Sequence, residues 1–243
     1  MSQPDFKRLL LLAKLSSLVY SIKVEDLAGG VEALELEFVG VIEAPGFQAL
    51  VCTEPDNSQI VVFRGTPVTC GRDVIDAVVA LGYDACLDHT DVGAGAKVLT
   101  APFNAVRAKM DVLRGLLDLN KPITFTGHSL GAVMALLAPA LLPRTVNTSV
   151  SCFAPFQAAN GRFWLSLYGD RRIPTVVGRA DDFALGFNHL DSVTRHPCSI
   201  LHLVGGSWAW QPSWPFCDQS ISDHDVDDYV ADLAALAGAS VGV

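Results

Sequence analysis

The stretch Thr126–Ala132 reads TGHSLGA and sets Ser129 between two glycines. The apolar run ITF (123–125) precedes it, and a long apolar segment follows it. This order predicts a strand, a sharp turn and a helix, because the two glycines remove side chains that would clash in the turn. The serine hydroxyl is then exposed above the sheet, and the helix behind it directs positive partial charge at an oxyanion. The stretch therefore predicts a nucleophile elbow at Ser129.

Apolar spacing on both sides of the elbow predicts alternating strands and helices. Upstream lie a helix whose apolar face includes Leu11, Leu15, Leu18 and Val19, strands at 34–42, 46–54 and 59–65, and a helix from near Ala94 to Asn120 with Val98, Phe103, Val106, Met110, Leu113 and Leu117 on one face. Downstream lie a helix at 130–142, strands near 150–153, at 174–177 and at 200–204, and helices near 163–168 and 225–237. Strands that alternate with helices indicate an α/β sheet, mostly parallel beyond the early strands. We predict one α/β domain over 1–243.

The composition limits the classes of partner. The 243 residues are 50% hydrophobic and 18% charged, so the chain is long enough for one large core and too apolar to be disordered. The net charge is −9 and the isoelectric point is near 5.0, which argues against electrostatic binding to nucleic acid or to an anionic membrane. A neutral or apolar partner fits this surface better.

The cysteines give no sign of a metal site. They are scattered through the chain without a CxxC pair or the Cys/His spacing of a zinc site, at Cys52, Cys70, Cys86, Cys152, Cys198 and Cys217. We interpret them as small buried apolar residues, and their even number leaves disulfides open. We predict neither a metal nor a cofactor.

The N-terminal run KRLLLL (7–12) begins like a signal peptide, but Lys14 interrupts the apolar segment. No other stretch approaches the roughly 18 uninterrupted apolar residues of a membrane-spanning helix. We therefore expect a soluble protein without a signal peptide, either cytoplasmic or exported by a signal-independent route.

A serine hydroxyl needs a base, usually histidine, and four histidines follow Ser129. His202 lies inside the predicted strand ILHLV and is interpreted as a strand histidine, and His189 and His196 precede that strand. His224 lies in the polar segment SDHDVDDYV, after the last predicted strand and before the last helix. An exposed loop of this kind suits a catalytic base, so we favour His224.

The base in turn needs an acid to fix its tautomer, and α/β-hydrolases present the three residues in the order Ser, Asp or Glu, His. The predicted strand at 174–177 is followed by GRADDF, which sets Asp181 and Asp182 at its carboxyl end. Either aspartate can reach the base. The acidic run between 218 and 228 lacks the glycine and the spacing of an EF-hand loop, and we interpret it as a solvated helix start.

Together these motifs resemble the class 3 lipases, the fungal-type triacylglycerol lipase family of the α/β-hydrolases. The resemblance runs through most of the chain and is carried by AKLSSLVYS (13–21), IVVFRGT (60–66), TFTGHSLGA (124–132), VVGRADDF (176–183) and HDVDDY (224–229). It implies an α/β-hydrolase fold, with a central, mostly parallel sheet flanked by helices.

The resemblance also implies roles for five residues. Ser129 corresponds to the nucleophile, Asp181 to the acid and His224 to the base. Thr66 corresponds to an oxyanion-hole donor, and the backbone N–H of Leu130 would be the second donor. The implied activity is hydrolysis of a small-molecule or lipid ester, with a lipid–water interface as one setting.

Two departures from the family pattern concern the substrate. The segment VGAGA (92–96) stands where the family usually has His-x-Gly-Phe, and Asp182 stands where an uncharged residue is common. The same machinery serves feruloyl, polyester and phospholipid esterases, which stay open as alternatives. A hydrolase fold used only for binding is a further alternative. It is disfavoured because all three triad candidates and both oxyanion positions are present.

A lid is expected over residues 67–92. Its segment RDVIDAVVALGYDACL (72–87) resembles the family's lid in position. A helix over 72–81 would gather four apolar residues on one side, namely Val74, Ile75, Val78 and Val79. An ordinary core helix is the alternative interpretation.

Overall fold

A computed structural model describes residues 3–20, 23–66, 89–169, 173–179, 194–195, 200–204, 207–211 and 225–239. The expected lid falls outside these ranges except for 89–92, as do Cys70, Cys86, Cys198 and Cys217. The two described cysteines, Cys52 and Cys152, are fully buried, as predicted.

The described helices are α1 (Phe6–Leu18), α2 (Val24–Glu32), α3 (Thr100–Leu116), α4 (Leu130–Leu137), α5 (Gly161–Tyr168) and α6 (Val226–Ala239). A 3₁₀ turn, Ala138–Leu141, extends α4. The described strands are β1 (Glu37–Ala44), β2 (Phe47–Thr53), β3 (Gln59–Phe63), β4 (His89–Asp91), β5 (Lys97–Leu99), β6 (Ile123–Gly127), β7 (Thr148–Phe153), β8 (Ala159–Asn160), β9 (Thr175–Arg179), β10 (Thr194–Arg195), β11 (Ile200–Val204) and β12 (Ser207–Gln211).

The main sheet joins eight of the described strands in the order β1-β2-β3-β6-β7-β9-β11-β12. The pairs from β3 to β11 are parallel, whereas β1, β2 and β3 form an antiparallel meander and β12 returns antiparallel along β11. The prediction of a mostly parallel sheet beyond the early strands is confirmed. Because the carboxyl ends of parallel strands share one edge, the segments that follow β6 and β9 leave the sheet on the same side.

The strands bury both faces of the sheet, because successive side chains point to opposite sides. In β2, Ala49 and Val51 pack in one apolar cluster, and Leu50 and Cys52 pack in the other. The first cluster contains the buried sides of α3, α4 and α5, and the second contains those of α1 and α6. Helices therefore cover both faces, as an α/β fold requires.

A second small sheet, in the order β10-β8-β5-β4, corrects one expectation. The helix predicted from near Ala94 begins at Thr100, and Val98 belongs to β5, where it faces Thr90 of β4. The turn between these strands has three consecutive positive φ angles, 111° at Gly93, 53° at Ala94 and 71° at Gly95. Such a turn joins two strands and cannot begin a helix.

Six described elements are absent from the sequence-based expectation, namely the helix α2 and the strands β4, β5, β8, β10 and β12. The helix α2 contains two glycines, which lower helix propensity. A Cβ on Gly30 would stand 2.3 Å from a methyl carbon of Leu18, so this glycine allows α2 to approach the end of α1. Tertiary packing thus overrides a weak local preference.

Within the ranges listed above, no helix combines the length and the apolar character needed to cross a membrane.

Candidate active site

Ser129 lies at the junction of β6 and α4 in a strained backbone conformation. Its φ is 58° and its ψ is −125°, outside the regions that side chains normally adopt. The amide of Ser129 donates to the carbonyl of Phe153 at 3.0 Å, which continues the pairing of β6 with β7 through the turn. A non-glycine residue in such a region costs about 1–3 kcal/mol and persists only where its surroundings impose it. This is the geometry expected of a nucleophile elbow.

The two glycines of the elbow are required by close backbone contacts. A Cβ on Gly127 would stand 2.6 Å from the carbonyl oxygen of Phe63, and one on Gly131 would stand 2.1 Å from the same oxygen. The end of β3 therefore lies directly against both ends of the turn. Larger residues at either position would push β3 away from the elbow.

The loop after β3 brings the predicted oxyanion residues beside Ser129. A Cβ on Gly65 would stand 2.6 Å from the carbonyl oxygen of His128 and 3.4 Å from the Cβ of Ser129. Thr66 is the next residue and is half-buried. Leu130 is the first residue of α4, so its N–H has no carbonyl partner within the helix.

Tyr20, just beyond the end of α1, supports this loop from below. Its hydroxyl lies 3.0 Å from Nδ1 of His128, and the two rings meet edge to face with centroids 6.2 Å apart. Burial raises the pKa of the Tyr20 hydroxyl well above its ordinary value, and the positive charge of Arg64 opposes this effect. Tyr20 therefore stays protonated and serves as a fixed hydrogen-bonding group under the elbow.

A cleft of about 410 Å³ adjoins the elbow. Its walls include Gly65 and Leu130, together with Gln48, Glu43 and Arg64. Gln48 links two of these residues, because its amide nitrogen donates to Glu43 at 3.1 Å and its amide oxygen accepts from Arg64 at 2.7 Å. The cleft thus has a polar, hydrogen-bonded wall near the predicted oxyanion site.

The family model for class 3 lipases matches residues 60–181, half of the chain. The chain belongs to the class 3 lipase family. The matched region contains the loop at Gly65 and Thr66, the elbow at Ser129 and the predicted acid Asp181. The resemblance inferred from the sequence motifs is confirmed.

Solved structures of other lipases share the fold of this class 3 lipase. Lipase II from Rhizopus niveus is 16% identical with a TM-score of 0.72, and the match covers 92% of this chain and 94% of that one. A triacylglycerol lipase whose catalytic centre is a serine protease triad is 15% identical with a TM-score of 0.69, over 92% and 94% of the two chains. The mono- and diacylglycerol lipase from Aspergillus oryzae is 17% identical with a TM-score of 0.68, over 84% and 81%. A comparison with curated protein sequences finds no match to this chain.

The fold is therefore an α/β-hydrolase fold, and this class 3 lipase is a serine ester hydrolase of the lipase type. The family acts on lipid esters. The fold expectation drawn from alternating strands and helices is confirmed as well.

The structure brings together three of the five predicted site residues of this lipase, Ser129, Leu130 and Thr66. The other two, Asp181 and His224, lie outside the described residues, as does Asp182. The described segment that contains β9 ends at Arg179, two residues before Asp181, and the segment that contains α6 begins at Asp225, one residue after His224.

His202 lies in β11, where it pairs with Gly178 of β9 and Ala209 of β12. It is buried, and burial lowers its pKa below the ordinary value of 6.5. The interpretation of His202 as a strand histidine is confirmed.

Three residues that hold this region together, Tyr20, Arg179 and Tyr229, have no role in the sequence-based prediction. The Tyr229 hydroxyl accepts a hydrogen bond from the backbone N–H of Arg179 at 3.0 Å, and its ring lies 6.0 Å from that of His128. Tyr229 could have been identified from the sequence, because it lies five residues after His224. No spacing along the chain identifies the partners of Tyr20 and Arg179.

Proposed function

We propose that Ser129 is the nucleophile of this lipase, with His224 as the base and Asp181 as the acid. The strained backbone of Ser129 is the observation that carries the proposal, because a side chain held at φ 58° is expected where function requires it. The loop at Gly65 lies beside Ser129, where the hydrogen-bond donors of an oxyanion hole are needed.

Topology supports the choice of acid. Asp181 follows β9, which is separated from β6 by β7 alone, and both strands end at the same edge of the sheet. A structural neighbour of this chain is a triacylglycerol lipase with a serine protease triad. The triad proposed here, from the ends of β6 and β9 and from the segment before α6, is of the same chemical kind.

In the proposed reaction, Ser129 attacks the ester carbonyl while His224 takes its proton. The amides of Thr66 and Leu130 stabilise the tetrahedral oxyanion. The proton then passes to the leaving alcohol, and an acyl-enzyme remains. Water, deprotonated by His224, releases the carboxylic acid and restores Ser129. Asp181 keeps His224 in the correct tautomer throughout, and no cofactor takes part.

The proposed substrate is an apolar acyl ester of a lipid. Two neighbours of this fold are a triacylglycerol lipase and a mono- and diacylglycerol lipase, which supports acylglycerols as the first substrates to test. A panel of chromogenic esters of rising chain length, beside feruloyl, polyester and phospholipid substrates, measures the preference. The highest kcat/KM on one of the last three would replace the acylglycerol assignment.

We also propose that the whole of 1–243 acts as one hydrolase domain that works at a lipid–water interface, with 67–92 as its lid. Activity on a long-chain ester should then rise more steeply once the substrate exceeds its solubility. Val78→Asp combined with Val79→Asp should remove this rise and spare a soluble short-chain ester. Simple saturation across the solubility limit would assign the segment to the core instead.

The decisive experiment for the nucleophile is Ser129→Ala. The variant should lose ester hydrolysis and labelling by an organophosphonate, and its circular dichroism should match that of the wild type, because the side chain is small and only half-buried. Labelling retained at another serine would overturn the assignment.

A further inference from the structure

Arg179, the last residue of β9, is held by two carboxylates on one face of α6. Its Nη1 donates to Asp228 at 2.6 Å, and its Nε donates to Asp232 at 3.2 Å. The side chains of Arg179 and Asp232 are only 22% and 18% exposed. Charge-assisted hydrogen bonds from a guanidinium have a defined direction, and partial burial reduces their screening by salt.

The backbone makes the same connection. The N–H of Arg179 donates to the hydroxyl of Tyr229, which is fully buried and whose ring packs edge to face on that of Phe153 at 6.0 Å. Arg179 is therefore joined to α6 by its backbone N–H and by two nitrogens of its guanidinium group, Nε and Nη1. These contacts fix the end of β9 against the first two turns of α6.

The two joined elements lead directly to the proposed acid and base. Asp181 follows Arg179 by two residues, and His224 precedes Asp228 by four. An extended chain spans at most about 3.3–3.6 Å per residue, so chain connectivity limits the distance between the Cα atoms of Arg179 and Asp181 to roughly 7 Å. A shift of α6 relative to β9 would therefore move the base relative to the acid.

We propose that Arg179 is a positioning residue, which acts with Asp228 and Asp232 to set the separation of Asp181 and His224. This role rests on the proposed triad, and Arg179 itself takes no part in the chemistry. A displacement of about 1 Å in a catalytic group can lower a rate on the order of 100-fold, so a clamp beside the triad has a measurable effect.

The test compares Arg179→Met, Asp232→Asn and their double variant with the wild type on a soluble short-chain ester. Arg8→Met is the matched control, because Arg8 forms a similar half-buried ion pair with Glu54 and also contacts Thr124, at the opposite end of the strands from the elbow. Arg179→Met should lower kcat roughly 10-fold to 100-fold with little change in KM. Arg8→Met should leave kcat unchanged.

Two further readouts separate positioning from a loss of folding. The effects of Arg179→Met and Asp232→Asn on kcat should not multiply in the double variant, because both changes remove the same Arg179–Asp232 interaction. Arg179→Lys should recover part of the rate. If Arg179→Met does not fold, the smaller change Asp232→Asn carries the test.

Equal effects of Arg179→Met and Arg8→Met on kcat, or effects of Arg179→Met and Asp232→Asn that multiply in the double variant, overturn the positioning role. Asp181→Asn in the same series tests the triad separately. Full activity of Asp181→Asn contradicts the proposed acid whatever Arg179 does, whereas a crippled Asp181→Asn beside an unaffected Arg179→Met contradicts the positioning role alone.

Discussion

At the elbow, Ser129 has the strained backbone, whereas Gly127 and Gly131 make the close backbone contacts. Gly127 and Gly131 are glycines because the carbonyl of Phe63 occupies the space that their Cβ atoms would need. Ser129 has the positive φ itself, although a glycine would adopt it without strain. The residue that the chemistry needs is thus the one that bears the conformational cost.

Replacing Ser129 by glycine should therefore stabilise the fold relative to replacing it by alanine. Glycine relieves a strain of about 1–3 kcal/mol but adds about 0.5–1 kcal/mol of unfolded-state entropy. We expect Ser129→Gly to be about 1 kcal/mol more stable than Ser129→Ala, measured by urea unfolding. Equal stability would mean that the turn imposes no strain on residue 129.

The adjacent aspartates should differ sharply in function. Asp181→Asn should reduce kcat on the order of 10⁴-fold, as in triads that lose their acid. Asp182→Asn should have a mild effect, and it serves as the matched control because the two variants differ by one position. A crippling Asp182→Asn would show that the register taken from the family motif is wrong by one residue.

At this scale the sequence predicted the residues whose type is set by local geometry and missed those set by distant contacts. The Gly-x-Ser-x-Gly pattern is itself the local constraint, so Ser129 and Leu130 followed from it. The pairing of Tyr20 with His128 joins residues 108 apart in sequence. No periodicity encodes such a contact.

Strands and helices were predicted best where their apolar pattern is long. The helical period of α1 extends over 13 residues, whereas β3 and β6 are identified by their β-branched and aromatic residues. Short strands such as β5 and β8 contain three and two residues, too few to show a period. Val98 accordingly matched a helical face by spacing although it pairs in a hairpin.

The strand β11 contains a titratable group that should make folding pH-dependent. Neither ring nitrogen of His202 has a hydrogen-bond partner within the described part of the chain, and burial lowers its pKa. Below the ordinary value of 6.5, an unfolded chain takes up a proton that the folded one resists, so stability should fall as the pH falls.

The variant His202→Leu should lose this component, which for one proton is at most about 1.4 kcal/mol per pH unit. Urea unfolding of both proteins, from about one unit above pH 6.5 to about one unit below it, measures the difference. Parallel stability curves for the wild type and the variant would show that His202 is not responsible.

Across the whole molecule, the first helix and the last helix pack together on one face of the sheet. The side chain of Ser17, in α1, donates to that of Asp227, in α6, at 2.7 Å. The N-terminal segment is therefore part of the core that supports the region before α6. It is not an appended tail.

Truncating a buried leucine of α1 should accordingly destabilise the entire fold. Leu12 is fully buried, and Leu12→Ala should cost about 2–5 kcal/mol in the free energy of unfolding. Leu11→Ala, a change at a half-buried position of the same helix, should cost less. A two-state transition that shifts as a whole supports one cooperative domain, and a separate early transition of α1 would contradict it.

The positive φ of Ser129 also bears on which substitutions at this position evolution can accept. A serine encoded by AGC or AGT becomes glycine through one base change, and that change relieves the strained backbone. From this strain we expect a duplicated copy released from selection for hydrolysis to gain stability by this step, so that purifying selection on the fold alone would not remove it. Silent paralogues that arose in this way would retain the architecture and read Gly-x-Gly-x-Gly at the elbow.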